Sequence, residues 1–98
     1  MNYNFQSINF NPKNKLLINI KNRTRKLSLF YDKIISVNIY AKLINSSRKN
    51  KQVEFILRIP GDEFVVKKNS DSFELSVKHV SDSIKRLLIE HKKRLSKI

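Results

Sequence analysis

The middle of the chain contains two successive segments in which apolar and polar residues alternate. The apolar positions of the first segment are Ile35, Val37, Ile39, Ala41 and Leu43. Those of the second segment are Val53, Phe55, Leu57 and Ile59. Because successive side chains of a strand point to opposite faces, this period of two predicts half-buried strands with one apolar and one wet face. The sheet that they form needs an apolar layer against one face, and this need limits what the rest of the chain can become.

A third strand is predicted to pair back on the second as a hairpin. Pro60, Gly61 and Asp62 have strong turn chemistry, and Gly61 is the only glycine of the chain. Phe64 and Val66 then continue the alternation on the returning strand. The polar residues 45–50 form the loop before the second strand. The three strands therefore make an antiparallel meander.

The N-terminal third of the chain is predicted to contain a strand and a helix. Tyr3 and Phe5 lie on one face of a strand over residues 3–10. Asn11 followed by Pro12 is typical of a helix start, with Asn as N-cap and Pro at the first helical position. The apolar stripe of this helix recurs at spacings of three and four. Its members are Leu16, Ile20, Thr24, Leu27 and Tyr31, widened by Leu17 and Phe30.

The C-terminal segment is predicted to be a second amphipathic helix. Asp71 with Glu74 fits a capping box, and Ser72 is the alternative N-cap. Its apolar stripe again recurs at three and four: Phe73, Val77, Val80, Ile84, Leu87, Leu88, His91 and Leu95. Both stripes must cover the one apolar sheet face. The sequence therefore predicts an α+β two-layer sandwich of order β-α-β-β-β-α.

The charge of the chain is far from neutral. The 98 residues carry a formal net charge of +13, which is more than solubility needs and points to a polyanionic partner, namely RNA, DNA or an acidic membrane surface. The stretch KNRTRK, residues 21–26, has no acid, and like charges four apart on a helix repel. The second half of the last helix is also basic, with Glu90 as its only acid. Its cations are Lys85, Arg86, Lys92, Lys93, Arg94 and Lys97. Both helices have more basic residues than interaction with the helix dipoles would explain.

The sequence offers no set of residues for catalysis. The chain has no cysteine, and His79 and His91 without a nearby acid cluster form no metal set. Asp62 and Glu63 fit a turn and a strand start better than an acid/base pair. No nucleophile with a base and no phosphate-cradling loop is evident. We therefore expect no enzyme, no metal, no cofactor and no small-molecule substrate.

Other segments bear on where the protein works. No apolar run approaches the roughly 20 residues of a membrane span, and the N-terminus lacks the charge and apolar regions of a secretion signal. A basic amphipathic helix could still bind a membrane surface. Against this, both apolar stripes have a sheet to cover, and no tryptophan or leftover leucine or phenylalanine wedge is evident. We therefore expect a cytoplasmic protein with no membrane partner.

The segment LSLFYDKI, residues 27–34, contains a leucine, an aromatic pair, Asp, a base and Ile in that order. In this most specific segment the chain resembles the short ribosome hibernation-promoting factors and ribosome-associated translation inhibitors, the HPF/RaiA or sigma-54 modulation protein type. The strand VNIYAKL, residues 37–43, follows as in the family. The second helix closes with a family-like pattern at Arg86, Leu88, His91-Lys92 and Arg94-Leu95. The resemblance covers nearly the whole chain.

This resemblance implies a fold, an activity and a partner. The implied fold is a four-stranded sheet with both helices on one face, similar to double-stranded RNA-binding domains. The implied activity is stoichiometric: binding the small ribosomal subunit and its ribosomal RNA in the mRNA/tRNA channel, at the aminoacyl and peptidyl tRNA sites, to block translation and protect idle ribosomes. Arg23, Lys26, Arg86, Lys92 and Arg94 match basic residues of the family's helices. With the other cations of these helices, the predicted RNA-binding residues are Lys21, Arg23, Arg25, Lys26, Lys85, Arg86, Lys92, Lys93 and Arg94.

The chain departs from the family pattern in places. Ser7 stands where many members have Gly, Glu90 replaces a family base, and the region 73–76 aligns only after a one-residue slip. The cations Arg48, Lys49 and Lys51 in and next to the loop are equally compatible with RNA contact and with solvation.

Residues 1–98 are expected to form one ribosome-binding domain without the C-terminal dimerisation domain of longer members. We expect a monomer in solution, with any pairing of ribosomes left to a separate factor. Two other functions stay open on the residues alone. These are a generic basic RNA-binding module or nucleic-acid chaperone without ribosome specificity, and a DNA-binding module, although no recognition-helix or zinc pattern supports the latter.

Overall fold

The computed structural model of the protein describes residues 1–96. Lys97, predicted to belong to the basic end of the second helix, lies outside the described residues. The elements in chain order are β1 (Asn2–Ile8), α1 (Asn14–Phe30), β2 (Ser36–Leu43), β3 (Lys51–Ile59), β4 (Asp62–Ser70) and α2 (Phe73–Leu95). Both helices pack on one face of the four-stranded sheet. The predicted α+β sandwich of order β-α-β-β-β-α is thus confirmed.

The strands lie in the sheet in chain order. β1 pairs with β2 in parallel, with α1 as the crossover, and β2, β3 and β4 form the antiparallel meander. The register aligns Phe5 with Ile39, Ile39 with Phe55, and Phe55 with Val66 across all four strands. One face of the sheet is therefore apolar from edge to edge. The Pro60-Gly61 turn closes the β3–β4 hairpin with Gly61 at φ +81°, a backbone conformation that suits glycine.

The core lies between this sheet face and the two helical stripes. Leu16, Ile20, Leu27 and Tyr31 of the first stripe are buried against it, as predicted. Val77, Val80, Ile84 and Leu88 form the buried part of the second stripe. Two predicted core residues are exposed. Ile35 is 44% exposed because β2 begins only at Ser36, and Leu95 is 49% exposed in the last turn of α2.

The helix starts differ in part from expectation. The predicted N-cap Asn11 is wrong, because α1 begins at Asn14 with Lys13 as N-cap and without a side-chain cap. Residues 9–12 instead carry the chain from β1 to α1, with Asn9 at φ 69° and the Phe10 ring stacked 4.2 Å from that of Phe73. At α2 the alternative N-cap that the sequence offered, Ser72, is confirmed. The Ser72 hydroxyl accepts a hydrogen bond from the Leu75 backbone amide at 3.1 Å.

Candidate nucleic-acid interface

The charges of the protein are distributed unequally between its two layers. On the open face of the sheet, Arg58 lies 4.0 Å from Glu63 and Lys67 lies 3.9 Å from Glu54. Both pairs face each other across the β3–β4 ladder. Within residues 1–96 the remaining ion pair joins Lys78 and Asp82 in the first half of α2. The described ion pairs therefore use none of the cations predicted to bind RNA.

The two helices run in the same direction and leave a groove between them. Arg23 of α1 donates to the Ser81 hydroxyl of α2 at 3.4 Å, and Lys92 of α2 donates to the Phe30 carbonyl oxygen of α1 at 3.2 Å. The groove along this contact, here called the inter-helix groove, has a volume of about 150 Å³. Its lining is Arg23, Lys26, Leu27, Phe30, Ser81, Asp82 and Lys85.

Cations from both helices meet in the inter-helix groove. Arg23 and Lys26 come from α1 and Lys85 from α2, so residues about 60 positions apart in sequence share one site. Asp82 is the acidic residue among those that line the groove, and its carboxylate forms an ion pair with the Nζ of Lys78 at 3.4 Å. The groove therefore has a net positive charge, which favours binding of an anionic ligand.

Phe30 organises the lysines at the C-terminal end of this groove. The Nζ of Lys92 lies 4.5 Å from the centre of the Phe30 ring, and the Nζ of Lys85 lies 5.4 Å from it. The electron-rich ring face attracts both ammonium groups. Two like charges are thus held near each other on one aromatic ring.

The other predicted site residues lie on the flanks of the helices. Lys21 and Arg25 line a separate groove on the far side of α1, together with Met1 and Tyr3 of the β1 edge. Arg86 lies on the side of α2 that faces β4, where it donates to the Ser83 hydroxyl at 3.2 Å. Lys93 and Arg94 are exposed in the last turn of α2. The structure brings Arg23, Lys26, Lys85 and Lys92 together and spreads the remaining five along both flanks.

A second groove, here called the end groove, opens where both helices terminate. It has a volume of about 570 Å³ and adjoins the inter-helix groove through Phe30. Its lining is Leu29, Phe30, Tyr31, Asp32, Lys33, Lys92, Leu95 and Ser96.

The end groove contains features that the sequence reasoning missed. Leu29 is 79% exposed, which contradicts the expectation that no apolar wedge remains. Its signal in the sequence is its position, two residues after the buried Leu27 and therefore off the apolar stripe.

The two histidines differ in their surroundings. His91 is half-buried and packs edge-on at 6.0 Å from the Tyr31 ring and 6.2 Å from the Phe64 ring. His79 is exposed. Among the described residues no cluster of His, Asp and Glu could hold a metal ion. No helix within residues 1–96 is both long and apolar enough to cross a bilayer.

These features define a two-layer α+β domain that displays a cationic helical layer. The chain belongs to the family described as sigma 54 modulation protein / S30EA ribosomal protein, whose sequence pattern matches residues 3–96. The resemblance to the hibernation-promoting family is thereby confirmed. Comparison with curated proteins gives no significant match.

Two solved structures share the fold. A ribosomal subunit interface protein from Coxiella burnetii is 17% identical, with a TM-score of 0.78 over 92% of this chain and 98% of that chain. The N-terminal domain of Protein Y from Thermus thermophilus is 12% identical, with a TM-score of 0.74 over 89% of this chain and 94% of that chain. At these identities the likeness concerns the fold.

Proposed function

We propose that the protein is a ribosome hibernation factor that binds the small ribosomal subunit through its helical layer. Its ligand is ribosomal RNA in the mRNA/tRNA channel, at the aminoacyl and peptidyl tRNA sites. Occupying that channel blocks translation and protects the idle ribosome. The action is stoichiometric binding without a catalytic step, and the protein works in the cytoplasm.

The observation that carries this proposal is the convergence of cations from both helices on the inter-helix groove, in a chain of this family. Arg23, Lys26 and Lys85 line one groove, and no described carboxylate pairs with any of the three. A subunit interface protein shares the fold. RNA supplies a phosphate at every nucleotide, so a strip of unpaired cations gains by releasing the counterions of that backbone.

The geometry favours recognition of RNA shape and backbone. α2 spans 23 residues, which corresponds to about 35 Å of helix. Arg23, anchored by Ser81, keeps further guanidinium donors for bidentate contact with phosphate. The flank cations Lys21, Arg25, Arg86, Lys93 and Arg94 extend the positive surface around this centre. Such a surface contacts backbone over several nucleotides and reads few bases.

We also propose that the protein acts as a monomer. The net charge of +13 opposes the close approach of two copies, so joining two silenced ribosomes would need a separate factor.

The proposal is tested by adding the purified protein to cell-free translation and to isolated small subunits. The expected result is inhibition that reaches completion near one protein per ribosome, with the protein sedimenting with the small subunit. Equal affinity for small subunits and for unrelated RNA or duplex DNA would instead favour a generic nucleic-acid chaperone.

A further inference from the structure

The end groove combines apolar and charged groups in a way that the proposed backbone contacts do not use. Leu29 is 79% and Leu95 49% exposed, one from each helix. Both line the same groove as the ammonium groups of Lys33 and Lys92. Exposed leucines do not attract phosphate, so a ligand consisting of backbone alone would leave them in water.

We propose that the end groove binds an unpaired nucleotide, with its base against Leu29 and Leu95 and its phosphate beside Lys92. This inference rests on the proposed function, because it assigns one part of the same RNA to a particular place. It adds a requirement that shape recognition lacks, namely a base that is free of its pairing partner.

The size and chemistry of the groove fit such a ligand. Its volume of about 570 Å³ lies within the range of small-ligand sites. A nucleotide is apolar on the faces of its base and anionic at its phosphate, which matches leucines next to lysines. A base inside a duplex has its faces stacked on its neighbours and offers neither to the protein. Sequence-tolerant binding of single strands elsewhere uses aromatic side chains against base faces, and here the exposed leucines would supply the apolar contact.

Lys92 lies at the junction of the two grooves and is held there. Its Nζ donates to the Phe30 carbonyl oxygen at 3.2 Å and lies 4.5 Å from the Phe30 ring centre and 6.0 Å from that of Tyr31. An ammonium group has three donors, so two stay available for a phosphate. The strand can therefore pass from the base in the end groove to cations of the inter-helix groove.

Asp32 argues for a base over an acidic peptide as the occupant. Among the described residues that line the end groove, it is the one acid. A carboxylate repels acidic side chains but accepts hydrogen bonds from the amino and imino groups on a base edge. Asp32 repels the carboxylates of an acidic peptide and the phosphate of a nucleotide alike, but the base edge of a nucleotide can donate a hydrogen bond to it while the phosphate lies beside Lys92.

The test compares Leu29→Gln with a matched control on the same helix. Ile18 is also an exposed apolar residue of α1, at 59%, and it does not line the end groove, so Ile18→Gln makes the same kind of change elsewhere. Fluorescence anisotropy measures binding to three probes at low salt: a single-stranded RNA of about ten nucleotides, a duplex of the same sequence, and an abasic strand of equal length.

The expected result is specific to the single strand with bases. Leu29→Gln should weaken binding of the single-stranded RNA with bases by about fivefold or more, because the leucine's apolar contact is lost. Binding to the duplex and to the abasic strand should not change, and Ile18→Gln should match the unaltered protein on all three probes. Thermal unfolding should show both variants folded.

Three outcomes would overturn the inference. One is an unchanged affinity of Leu29→Gln for the single strand, and another is an equal loss on all three probes. The third is a loss of small-subunit binding by Leu29→Gln with unchanged RNA binding, which would assign the groove to a ribosomal protein. If the unaltered protein fails to sediment with small subunits, the proposed function fails separately, whatever the oligonucleotides show.

Discussion

The Nζ of Lys92 in α2 lies 3.2 Å from the carbonyl oxygen of Phe30, the last residue of α1. The last turn of α1 contains no basic residue of its own. Its unpaired carbonyls carry partial negative charge, which a cation stabilises. Lys92 supplies that cation from the neighbouring helix and also covers the Phe30 ring. One lysine therefore fastens the ends of the two helices together.

Removal of this lysine should lower stability. Lys92→Ala removes a charge-assisted hydrogen bond and a cation–π contact, each partly exposed, and we expect a loss of about 1 kcal/mol in the free energy of unfolding. Lys93→Ala is the control, because the neighbouring side chain has no described contact of this kind and should change stability by less than about 0.5 kcal/mol. Urea unfolding measures both. Equal effects of the two substitutions would show that the link to Phe30 contributes nothing.

Ser76 should be a stronger determinant of stability than its small size suggests. Its side chain is fully buried, donates to the Lys51 carbonyl oxygen at 2.6 Å and lies 2.7 Å from the Ser70 hydroxyl oxygen. Ser76→Ala removes both hydrogen bonds. The Ser70 hydroxyl keeps its bond to the Ser72 carbonyl oxygen at 2.7 Å, while the Lys51 carbonyl oxygen loses its side-chain donor. We expect a cost of about 1–3 kcal/mol.

The control for Ser76 is Ser83→Ala on the same helix. Ser83 is half-buried, and its hydroxyl accepts a hydrogen bond only from the exposed Arg86 guanidinium. Loss of this hydroxyl should lower the free energy of unfolding by about 0.5 kcal/mol or less. Thermal unfolding of the two variants compares them. A Ser76→Ala protein as stable as Ser83→Ala would mean that water replaces the lost hydroxyl.

The stability of the protein should decline at alkaline pH partly through Tyr3. Burial raises the pKa of Tyr3 above its ordinary value of 10.0, since desolvation disfavours the phenolate. The folded state then holds the proton after the unfolded chain has released it. This contribution is complete below pH 10 and is lost as the pH rises through the folded pKa.

Tyr3→Phe should remove that contribution. The difference in unfolding free energy between the two proteins should be constant below pH 10 and should change above it, with the unaltered protein losing more. Chemical unfolding at a series of pH values from 8 upward gives the comparison, in which the titration of lysines cancels. A difference that stays constant through the alkaline range would contradict the effect of burial.

The fold was largely predictable because its signals are local and periodic. The alternation at Val53, Phe55 and Leu57 requires a sheet with one buried face, and a stripe such as Leu16, Ile20 and Leu27 requires a helix against it. Details fixed by tertiary contact were not predictable in this way. The segment before α1 packs through the stack of Phe10 on Phe73, and these residues lie 63 positions apart in the sequence.

The sequence predicts which residue types form the candidate site, but only part of how they are arranged in space. The sequence identifies both helices as basic, yet helical period alone does not say which flank faces the partner helix. The structure places Arg23 and Lys26 in the inter-helix groove and Lys21 and Arg25 on the far side of α1. Lys92 was predicted to meet RNA only, and its bond to Phe30 depends on how closely the helices pack.

Charge reversal in the inter-helix groove should abolish function. Arg23→Glu, Lys26→Glu and Lys85→Glu together place repulsion where phosphate is expected, and each lost phosphate contact weakens binding. Lys92 is left in place because it holds Phe30. We expect loss of translation inhibition in a cell-free extract, with the fold intact by circular dichroism.

The matched control for that variant reverses the same number of charges on the open sheet face. Lys42, Arg58 and Lys67 lie there, and changing all three to Glu gives the same net charge as the groove variant. This protein should inhibit translation nearly as well as the unaltered one. If both variants lose inhibition equally, net charge rather than the groove governs the activity.

Co-sedimentation with isolated small ribosomal subunits at increasing salt tests most directly whether the helical layer docks on ribosomal RNA. Engagement of about six phosphates predicts that affinity falls by about a thousandfold or more between 50 and 200 mM salt. The groove variant should show a shallower dependence and the sheet-face variant the full one. Tight binding that is insensitive to salt, or identical salt dependence in all three proteins, would contradict the claim that the helical layer docks on ribosomal RNA.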